Sequence, residues 1–496
     1  MIKLPRASYI MLHTSVNQLT VCVKGGDSQT IQVGARTSLT MKFSILLFVA
    51  IWIGVSSAER GYFWHLTDLH LEPNYTVTSD PVKVCPSAGD QPVRNPGKWG
   101  NYLCDSPGVL INSSIHAMKT ILPNPDFILW TGDDTPHIPN EQLGEKAVLD
   151  IVEWITSLII EVFPTTKVYA ALGNHDFHPK NQLPVQNNSI YYRISEFWKL
   201  WLKPESLSTF QKGAYYSEQL VSPGALGRII ILNTNLYYDS NSVTANMEDP
   251  GDQFSWLENQ LTDASQKGEK VYIVAHVPPG YFEKKHGKPW FRENFNKRYV
   301  EIIQKHHNVI QGQFFGHHHT DSFRMFYSNS GDPISTMFIA PGISPWKTTL
   351  PGVENGANNP GIRVFEYDRK TLNILDMVTY YLNLTYANKE SPRWEKEYRL
   401  TESFLVPDGS PQSMHDVLKK ISTETCFLQK YYEYNSVSYD LENCDDYCKI
   451  GHVCAIREVD FTKYATCLKN GNVAFKPAYH MTVMLAVLLM YVLNYK

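Results

Sequence analysis

The sequence has 496 residues, of which 43% are hydrophobic and 19% are charged, and its formal net charge is -4. This composition excludes a disordered polymer and allows one large core with a smaller appended unit. The weak negative charge and the lack of a long lysine or arginine run exclude a nucleic-acid polymer as the expected partner.

The first predicted element is an export signal over residues 41–58. Lys42 precedes an apolar run over residues 43–55, and small residues close the segment. The run is shorter than the roughly 20 residues that cross a bilayer, which argues against an uncleaved anchor. Because an export signal normally stands at the N-terminus, we expect translation to start at Met41 and interpret residues 1–40 as a doubtful extension.

Between residues 61 and 368, short apolar runs alternate with helix-like stretches. The runs, interpreted as strands, are YFWHL, FILW, VYAAL, RIIILN, VYIVA, GQFF, MFIA and GIRVFEY. Helices are predicted over residues 148–162, 189–202, 253–266 and 291–305. Several runs are almost wholly apolar, as expected for strands buried on both faces. The alternation predicts an α/β domain over residues 59–375, with the site in the loops at the strand ends.

From residue 376 to residue 470 the strand pattern fades and cysteines accumulate, which predicts a small helical subdomain braced by disulfides. Clustered cysteines in an exported chain are more often disulfides than zinc ligands. The predicted pairs are Cys85–Cys104, Cys444–Cys448 and Cys454–Cys467, and this pairing leaves Cys426 as the odd cysteine, with its state open.

The end of the chain resembles a glycolipid-anchor signal. Small residues at 470–472 and a spacer over 473–480 precede the apolar run 481–493, so residues 471–496 are predicted to be removed when a GPI anchor is attached. Glycosylation sequences at Asn74, Asn112, Asn187 and Asn383 fit the secretory route. The expected location is the extracellular face of the cell membrane, with plain secretion as the alternative.

Five strand-end loops carry residues that bind metals. They supply Asp68 and His70, then Asp133, then Asn174 with His175, then His276, and finally His317 and His319. One such loop would be weak evidence, but five at equivalent strand ends predict a metal centre. Residues two apart in an extended backbone project to the same side, so Asp68 and His70 are expected to hold one ion together. Other histidines, His452 among them, lie in polar or helical contexts and are interpreted as surface groups.

The order D-x-H, GD, GNHD, H and GHxH resembles that of the calcineurin-like metallophosphoesterases. The longer segments FWHLTDLHLEPNY, ILWTGDDTPHIP, ALGNHDFHP, LNTNLYY, VAHVPPG and GQFFGHHHTDSFR resemble the acid sphingomyelinase-like phosphodiesterases, and the tail resembles their membrane-anchored branch. This resemblance implies a four-layer αββα sandwich with two zinc ions. It places one ion on Asp68, His70 and His319 and the other on Asn174, His276 and His317, with Asp133 bridging. Pro136 stands where purple acid phosphatases have an iron-binding tyrosine, which favours two zinc ions.

A two-metal centre of this kind predicts hydrolysis of a phosphate ester. Two close cations lower the pKa of a shared water and neutralise the phosphoryl oxygens during in-line attack. His175 is the candidate acid for the leaving group, and His137 is the second candidate, contacting the phosphate or sharing the proton transfer. Asp176 either orients His175 or makes a structural turn contact; the sequence leaves both open.

The sequence determines the substrate less closely than it determines the type of reaction. No lipid-handling saposin domain fits between Ala58 and the first catalytic strand, which favours small phosphodiesters or pyrophosphates such as nucleotides and nucleotide-linked head groups over sphingomyelin. A membrane-anchored enzyme could still influence nearby lipids. A phosphomonoesterase and a surface binding protein with a residual metal site are the alternatives, and a monomer is expected.

Overall fold

The computed structural model describes residues 19–22, 28–31, 59–220 and 227–471. The predicted export signal, and the predicted anchor signal from residue 472 onward, lie outside the described residues. The strands are β1 (Leu19–Cys22), β2 (Ser28–Ile31), β3 (Arg60–Leu66), β4 (Phe127–Trp130), β5 (Lys167–Ala170), β6 (Tyr216–Gln219), β7 (Gly227–Ile231), β8 (Lys270–Val274), β9 (Ile310–Phe315), β10 (Ser322–Tyr327), β11 (Pro333–Ile339), β12 (Gly361–Asp368), β13 (Ile374–Leu382) and β14 (Trp394–Arg399).

The described helices lie between and after these strands. They are α1 (Gly108–Ile121), α2 (Glu145–Val162), α3 (Ser189–Phe197), α4 (Leu207–Gly213), α5 (Gln253–Lys267), α6 (Glu293–His306), α7 (Leu384–Ala387), α8 (Leu400–Phe404), α9 (Pro411–Thr423), α10 (Thr425–Asn435), α11 (Asp446–Arg457) and α12 (Phe461–Asn470). Helix α2 shows why such segments are helical: Val148, Ile151, Val152, Ile155 and Ile159 recur at helical spacing and are all buried on one face.

Two six-stranded sheets form the centre of the fold. The first has the strand order β14-β13-β12-β3-β4-β5, and the second has the order β10-β11-β9-β8-β7-β6. Strands β3, β4 and β5 are parallel, with Leu66 opposite Trp130 and Trp130 opposite Ala170. Strands β7, β8 and β9 are parallel in the second sheet. The carboxyl ends of neighbouring parallel strands therefore lie along one edge of each sheet.

The two sheets pack face to face through aromatic side chains. Phe63 on β3 stacks on Phe127 and Phe365 of its own sheet, with ring centroids 4.6 and 5.1 Å away. The same ring meets Tyr272 and Phe314 of the other sheet at 5.8 and 5.3 Å. Helices α5 and α6 pack on the second sheet. Helices α1 to α4 pack against one another, and Trp198 after α3 packs on Trp130 of the first sheet. This arrangement is the predicted four-layer αββα sandwich.

The strands continue past residue 375, where the sequence predicts that the helical subdomain begins. Strand β13 spans that position, and β14 then forms the edge of the first sheet. The pairing of β13 with β14 shifts register between Thr379 and Tyr380, and this irregularity breaks the alternation that would mark a strand in the sequence. The C-terminal helical part, which consists of α8 to α12, therefore begins at Leu400; before it, only the single turn of α7 interrupts the strands β13 and β14.

Disulfides brace both ends of the described chain. The three predicted pairs, Cys85–Cys104, Cys444–Cys448 and Cys454–Cys467, are confirmed. Cys426, whose state the sequence left open, is also disulfide-bonded. It has no partner in the predicted pairing because the cysteines after the export signal are odd in number. Among the described residues, none of the helices is both long enough and apolar enough to span a membrane.

Candidate active site

The loops that follow β3, β4, β5, β8 and β9 meet at one edge of the two sheets. They bring together all seven residues predicted as metal ligands, namely Asp68, His70, Asp133, Asn174, His276, His317 and His319. Six of these residues are buried and His317 is half-buried. Side chains far apart in sequence thus form one polar cluster, because the carboxyl ends of parallel strands lie side by side.

Asp68, His70 and His319 form the first group of potential ligands, with their donor atoms within 4.8 Å of one another. The Nε2 atoms of His70 and His319 are 3.0 Å apart, and each lies within 3.9 Å of Asp68 Oδ1. His70 Nδ1 donates to the carbonyl oxygen of Thr135 at 2.7 Å. This hydrogen bond places the ring proton on Nδ1 and leaves the Nε2 lone pair directed into the group.

Asp133, His276 and His317 form the second group, again with donor atoms within 4.8 Å. Asn174 joins this group, because its Oδ1 lies 3.1 Å from His276 Nε2 and 2.8 Å from His317 Nδ1. Asn174 Nδ2 donates to Asn181 at 2.8 Å, which fixes the amide with its oxygen toward the histidines. His276 Nδ1 donates to a backbone carbonyl at 2.7 Å, so its Nε2 lone pair also faces the group.

Asp133 connects the two groups through one oxygen. Its Oδ2 lies 3.6 Å from His70 Nε2 in the first group and 3.1 Å from His276 Nε2 in the second. Its other oxygen, Oδ1, accepts a hydrogen bond from the backbone N–H of His175 at 2.8 Å. The carboxylate is therefore held in place by the loop after β5 and presents a single oxygen between the two groups.

Five of the predicted ligands adopt left-handed backbone conformations: Asp68, His70, Asp133, His317 and His319, with φ from 42° to 70°. The expectation that Asp68 and His70 converge because an extended strand projects them to one side is wrong. They converge because the loop turns sharply at each of them. Such conformations are costly for residues with a Cβ and cluster at functional sites. Gly132 has φ 81°, and a Cβ there would lie 2.2 Å from the backbone nitrogen of Gly173.

The two groups concentrate ionisable side chains in a buried space. Burial raises the pKa of Asp68 to about 7. Burial alone would lower the pKa of His276, but the neighbouring carboxylates of Asp133, Asp68 and Asp176 together outweigh burial and raise the pKa to about 9. The pKa values of His70 and His317 are lowered, first by burial and then by neighbouring histidines. The neutral imidazoles of His70 and His317, together with the carboxylate of Asp133, form a donor set that suits divalent metal ions.

His137 and His175 lie beside the first group. Their rings are 4.1 and 4.9 Å from the ring of His70 and 4.4 Å from each other. Asp105 accepts hydrogen bonds from both the backbone N–H and the ring Nδ1 of His137. Trp346 stacks flat on the same ring, with centroids 3.7 Å apart and planes 9° apart. His137 is thus held by two residues that the sequence pattern did not indicate.

Asp176 has the structural role that the sequence left open. Its carboxylate accepts hydrogen bonds from the backbone N–H groups of Asp133, Asp134 and Gly173 at 2.7–2.9 Å. The ring of His175 instead lies against the carbonyl oxygen of Pro136, 3.4 Å from Nδ1. Asp176 therefore joins the loops after β4 and β5 and does not orient the ring of His175.

A cavity of about 210 Å³ opens onto the two groups. Beyond the predicted ligands and His137 and His175, its walls contain Tyr238, Phe282, Lys284, Trp290 and Trp346. Phe282, Lys284 and Trp290 lie farther along the loop that begins with His276, and Tyr238 and Trp346 lie in other loops. None of these residues stands at a strand end, so no sequence signal separated them from ordinary packing or surface residues. His318 does not join the ligand groups: Trp290 donates to its Nε2 at 2.8 Å, and its Nδ1 lies 3.1 Å from Glu283.

A four-layer αββα sandwich with paired Asp and His groups at its strand ends defines a metallophosphoesterase. The sequence agrees: residues 61–321 match the calcineurin-like phosphoesterase family, and residues 332–474 match the acid sphingomyelin phosphodiesterase C-terminal region. The chain belongs to the acid sphingomyelinase-like phosphodiesterases of this superfamily, which are phosphoric diester hydrolases.

Individual relatives support the same assignment over most of the chain. Acid sphingomyelinase-like phosphodiesterase 3b of Mus musculus is 63% identical over 435 residues, covering 88% of this chain and 95% of the relative. The Homo sapiens protein of the same name is 64% identical over 424 residues, covering 85% and 93%. Cyclic GMP-AMP phosphodiesterase SMPDL3A of Homo sapiens is 43% identical over 413 residues, covering 83% and 90%.

Proposed function

We propose that the chain is a zinc-dependent phosphodiesterase with two metal ions. Asp68, His70 and His319 hold one ion, and Asn174, His276 and His317 hold the other. The position of Asp133 Oδ2, 3.6 Å from His70 Nε2 and 3.1 Å from His276 Nε2, is the observation that carries this proposal. The imidazole, carboxylate and amide donors suit zinc, since zinc accepts both nitrogen and oxygen ligands.

Bound zinc lowers the pKa of a water molecule and neutralises charge on the phosphoryl oxygens. The chain supplies the remaining groups. His175 is the proposed acid that protonates the leaving oxygen, and His137 contacts the phosphoryl group or shares the proton transfer. The hydrogen bond from His137 Nδ1 to Asp105 directs His137 Nε2 away from that carboxylate. Trp346 covers one face of the ring and shields it from solvent.

The proposed substrates are small extracellular phosphodiesters or pyrophosphates, such as nucleotides and nucleotide-linked head groups. Flat aromatic rings line the cavity and suit a nucleobase, while Lys284 offers a positive charge for phosphate. The cavity volume of about 210 Å³ favours a small ligand. A relative that is 43% identical is named for the hydrolysis of a cyclic dinucleotide, which supports this substrate class.

A substrate panel tests the proposal. The metal-replete protein is given a nucleotide diphosphate-choline, a cyclic dinucleotide, sphingomyelin micelles and p-nitrophenyl phosphate at several pH values. We expect the highest kcat/KM for one of the two nucleotide substrates and loss of all hydrolysis on chelation. A strong preference for the micelles would contradict the substrate class, and a strong preference for p-nitrophenyl phosphate would indicate a monoesterase. Hydrolysis that survives full chelation would contradict the metal mechanism.

We also propose that the protein acts at the outer leaflet of the cell membrane through a GPI anchor, as a monomer, where it could modulate nearby lipids. The anchor-like sequence of residues 471–496 supports this location. A phosphatidylinositol-specific lipase should release the protein from intact cells. Full retention, or spontaneous secretion, would contradict the anchor without affecting the proposed reaction.

A further inference from the structure

A chain of buried hydrogen bonds lies behind the cavity wall and ends at the indole of Trp290. It runs from Glu283 through His318 to the indole N–H, and the side chains of Glu283 and His318 are completely buried. We propose that Glu283 and His318 are positioning residues, which hold Trp290 in the cavity wall for substrate binding. This role rests on the proposed phosphodiester hydrolysis in the cavity, which assigns no function to either residue.

The hydrogen bonds of His318 have a fixed direction. An indole N–H can only donate, so His318 Nε2, which lies 2.8 Å from Trp290 Nε1, is the acceptor. The proton of the neutral imidazole is then on Nδ1, which lies 3.1 Å from Glu283 Oε2 and donates to it. The single donor of the indole is therefore satisfied behind the wall, and Trp290 offers only its ring to the cavity.

Four donors surround the carboxylate of Glu283. Its Oε1 accepts hydrogen bonds from the hydroxyl of Thr320 at 2.6 Å and from Asn435 Nδ2 at 2.9 Å. Its Oε2 accepts from the guanidinium of Arg324 as well as from His318. Buried hydrogen bonds to a charged group are strong and fix its orientation. Because Asn435 lies on α10, the C-terminal helical part anchors the chain that ends at the cavity.

Trp290 joins this chain to the candidate active site. Its ring lines the cavity and meets the ring of His317 edge-on, with centroids 4.5 Å apart and planes 87° apart. A wall that is already ordered loses little freedom when a ligand binds against it, and this strengthens binding. Without an acceptor at His318, the buried indole N–H is unsatisfied and the ring loses its fixed orientation. The expected consequence is weaker substrate binding.

Steady-state kinetics of the metal-replete full chain tests this role, with the phosphodiester from the substrate panel that the wild type hydrolyses best. His318→Leu removes the acceptor, and we expect KM to rise about five- to tenfold while kcat changes less than about twofold. His318→Gln restores an acceptor and should recover most of the wild-type KM. Metal content should stay unchanged in both. His116→Leu, at an exposed position of α1, is the control and should behave as the wild type.

A double-mutant cycle shows whether His318 acts through Trp290. Trp290→Phe keeps an aromatic ring but removes the N–H, so adding His318→Leu should raise KM by less than about twofold more. Glu283→Gln must turn its amide NH2 toward at least one other donor, which disturbs the chain at its other end. It should also raise KM, and this rise should shrink in the Trp290→Phe background.

The results distinguish this role from the proposed function. A wild type that hydrolyses no phosphodiester would overturn both. With an active wild type, an unchanged KM in His318→Leu, an equally high KM in His318→Gln, or full additivity with Trp290→Phe would overturn only the positioning role. A fall in kcat at unchanged KM, or a loss of metal, would do the same, because a merely structural residue has that effect. If His318→Leu does not fold, Glu283→Gln and its double variant decide by the same criteria.

Discussion

Asp105 accepts two hydrogen bonds from His137, one from its backbone N–H at 2.6 Å and one from its ring Nδ1 at 3.0 Å. The same carboxylate accepts from the hydroxyl of Ser344 at 2.9 Å and is fully buried. A carboxylate in this position fixes the tautomer of the imidazole and leaves Nε2 to face the phosphoryl group. We therefore regard Asp105 as a positioning residue for His137.

Asp105→Asn should lower kcat by about 10²-fold, since a positioned acid–base group contributes at least that much. KM should change much less, because the cavity walls remain in place. Steady-state kinetics measures both constants, and metal analysis should show an unchanged metal content. A loss of bound metal in the variant would show that Asp105 is only a structural residue. A change of about 10²-fold in KM with kcat unchanged would show the same.

His175→Ala should keep both metals and lose most of the turnover. The donor atom of His175 lies within 4.8 Å of those of His70 and His137, but His175 belongs to neither of the two proposed ligand groups. Its backbone N–H, which holds Asp133, is retained in the alanine variant. Metal content and kcat are measured on the same preparation. Loss of metal in this variant would assign His175 to the metal site.

Phe63→Ala should lower the free energy of unfolding by about 3–5 kcal/mol, the range for large-to-small substitutions of buried aromatic residues. Phe63 is completely buried and touches aromatic rings of both sheets, so the substitution opens a cavity between them. Denaturant unfolding of the whole protein measures the loss. Tyr192→Ala, at a half-exposed position on α3, is the control and should change stability little.

His452 predicts a specific dependence of stability on pH. Burial lowers its pKa from 6.5 to about 3, and its ring lies against Tyr431 and Tyr432. The folded state therefore binds fewer protons than the unfolded state between these values. The contribution of His452 to stability is complete above pH 6.5 and is lost as the pH falls toward 3, by up to about 1.4 kcal/mol per pH unit.

The measurement compares wild type with His452→Phe, which keeps a flat ring but cannot be protonated. Unfolding free energies at several pH values between 7 and 4 should fall less steeply for the variant. His116→Phe, at an exposed position of α1, controls for the loss of a histidine. Parallel pH profiles for wild type and His452→Phe would contradict the buried neutral state.

The strand-end pattern was sufficient to predict that these seven residues lie together, because each follows a strand with at least one parallel neighbour. Their role as metal ligands stays a prediction. The residues can be far apart in sequence, because the order of strands in the sheets places the carboxyl ends of these strands side by side. The local geometry was not predictable: the left-handed turns at Asp68 and His70 depend on contacts with other loops, such as the hydrogen bonds from their backbone N–H groups to Gly132 and Asp133.

The site residues that do not stand at strand ends could not be predicted, and the reason is the same for each of them. Asp105, Trp346 and Lys284 reach the site from irregular loops, where an acid, an aromatic or a lysine has no distinctive spacing. His452 was interpreted as a surface group because α11 is polar overall, yet packing against α10 buries it. In each case the function or burial of the residue depends on tertiary contacts that a single sequence does not encode locally.

The metal content of the purified full-length protein tests the central claim most directly. After loading with zinc and removal of excess, mass spectrometry of the metals should give two tightly bound ions per chain. Asp133→Ala should lose both, since its Oδ2 faces both ligand groups. One ion or none in the fully loaded wild type would contradict the two-metal site and the mechanism built on it.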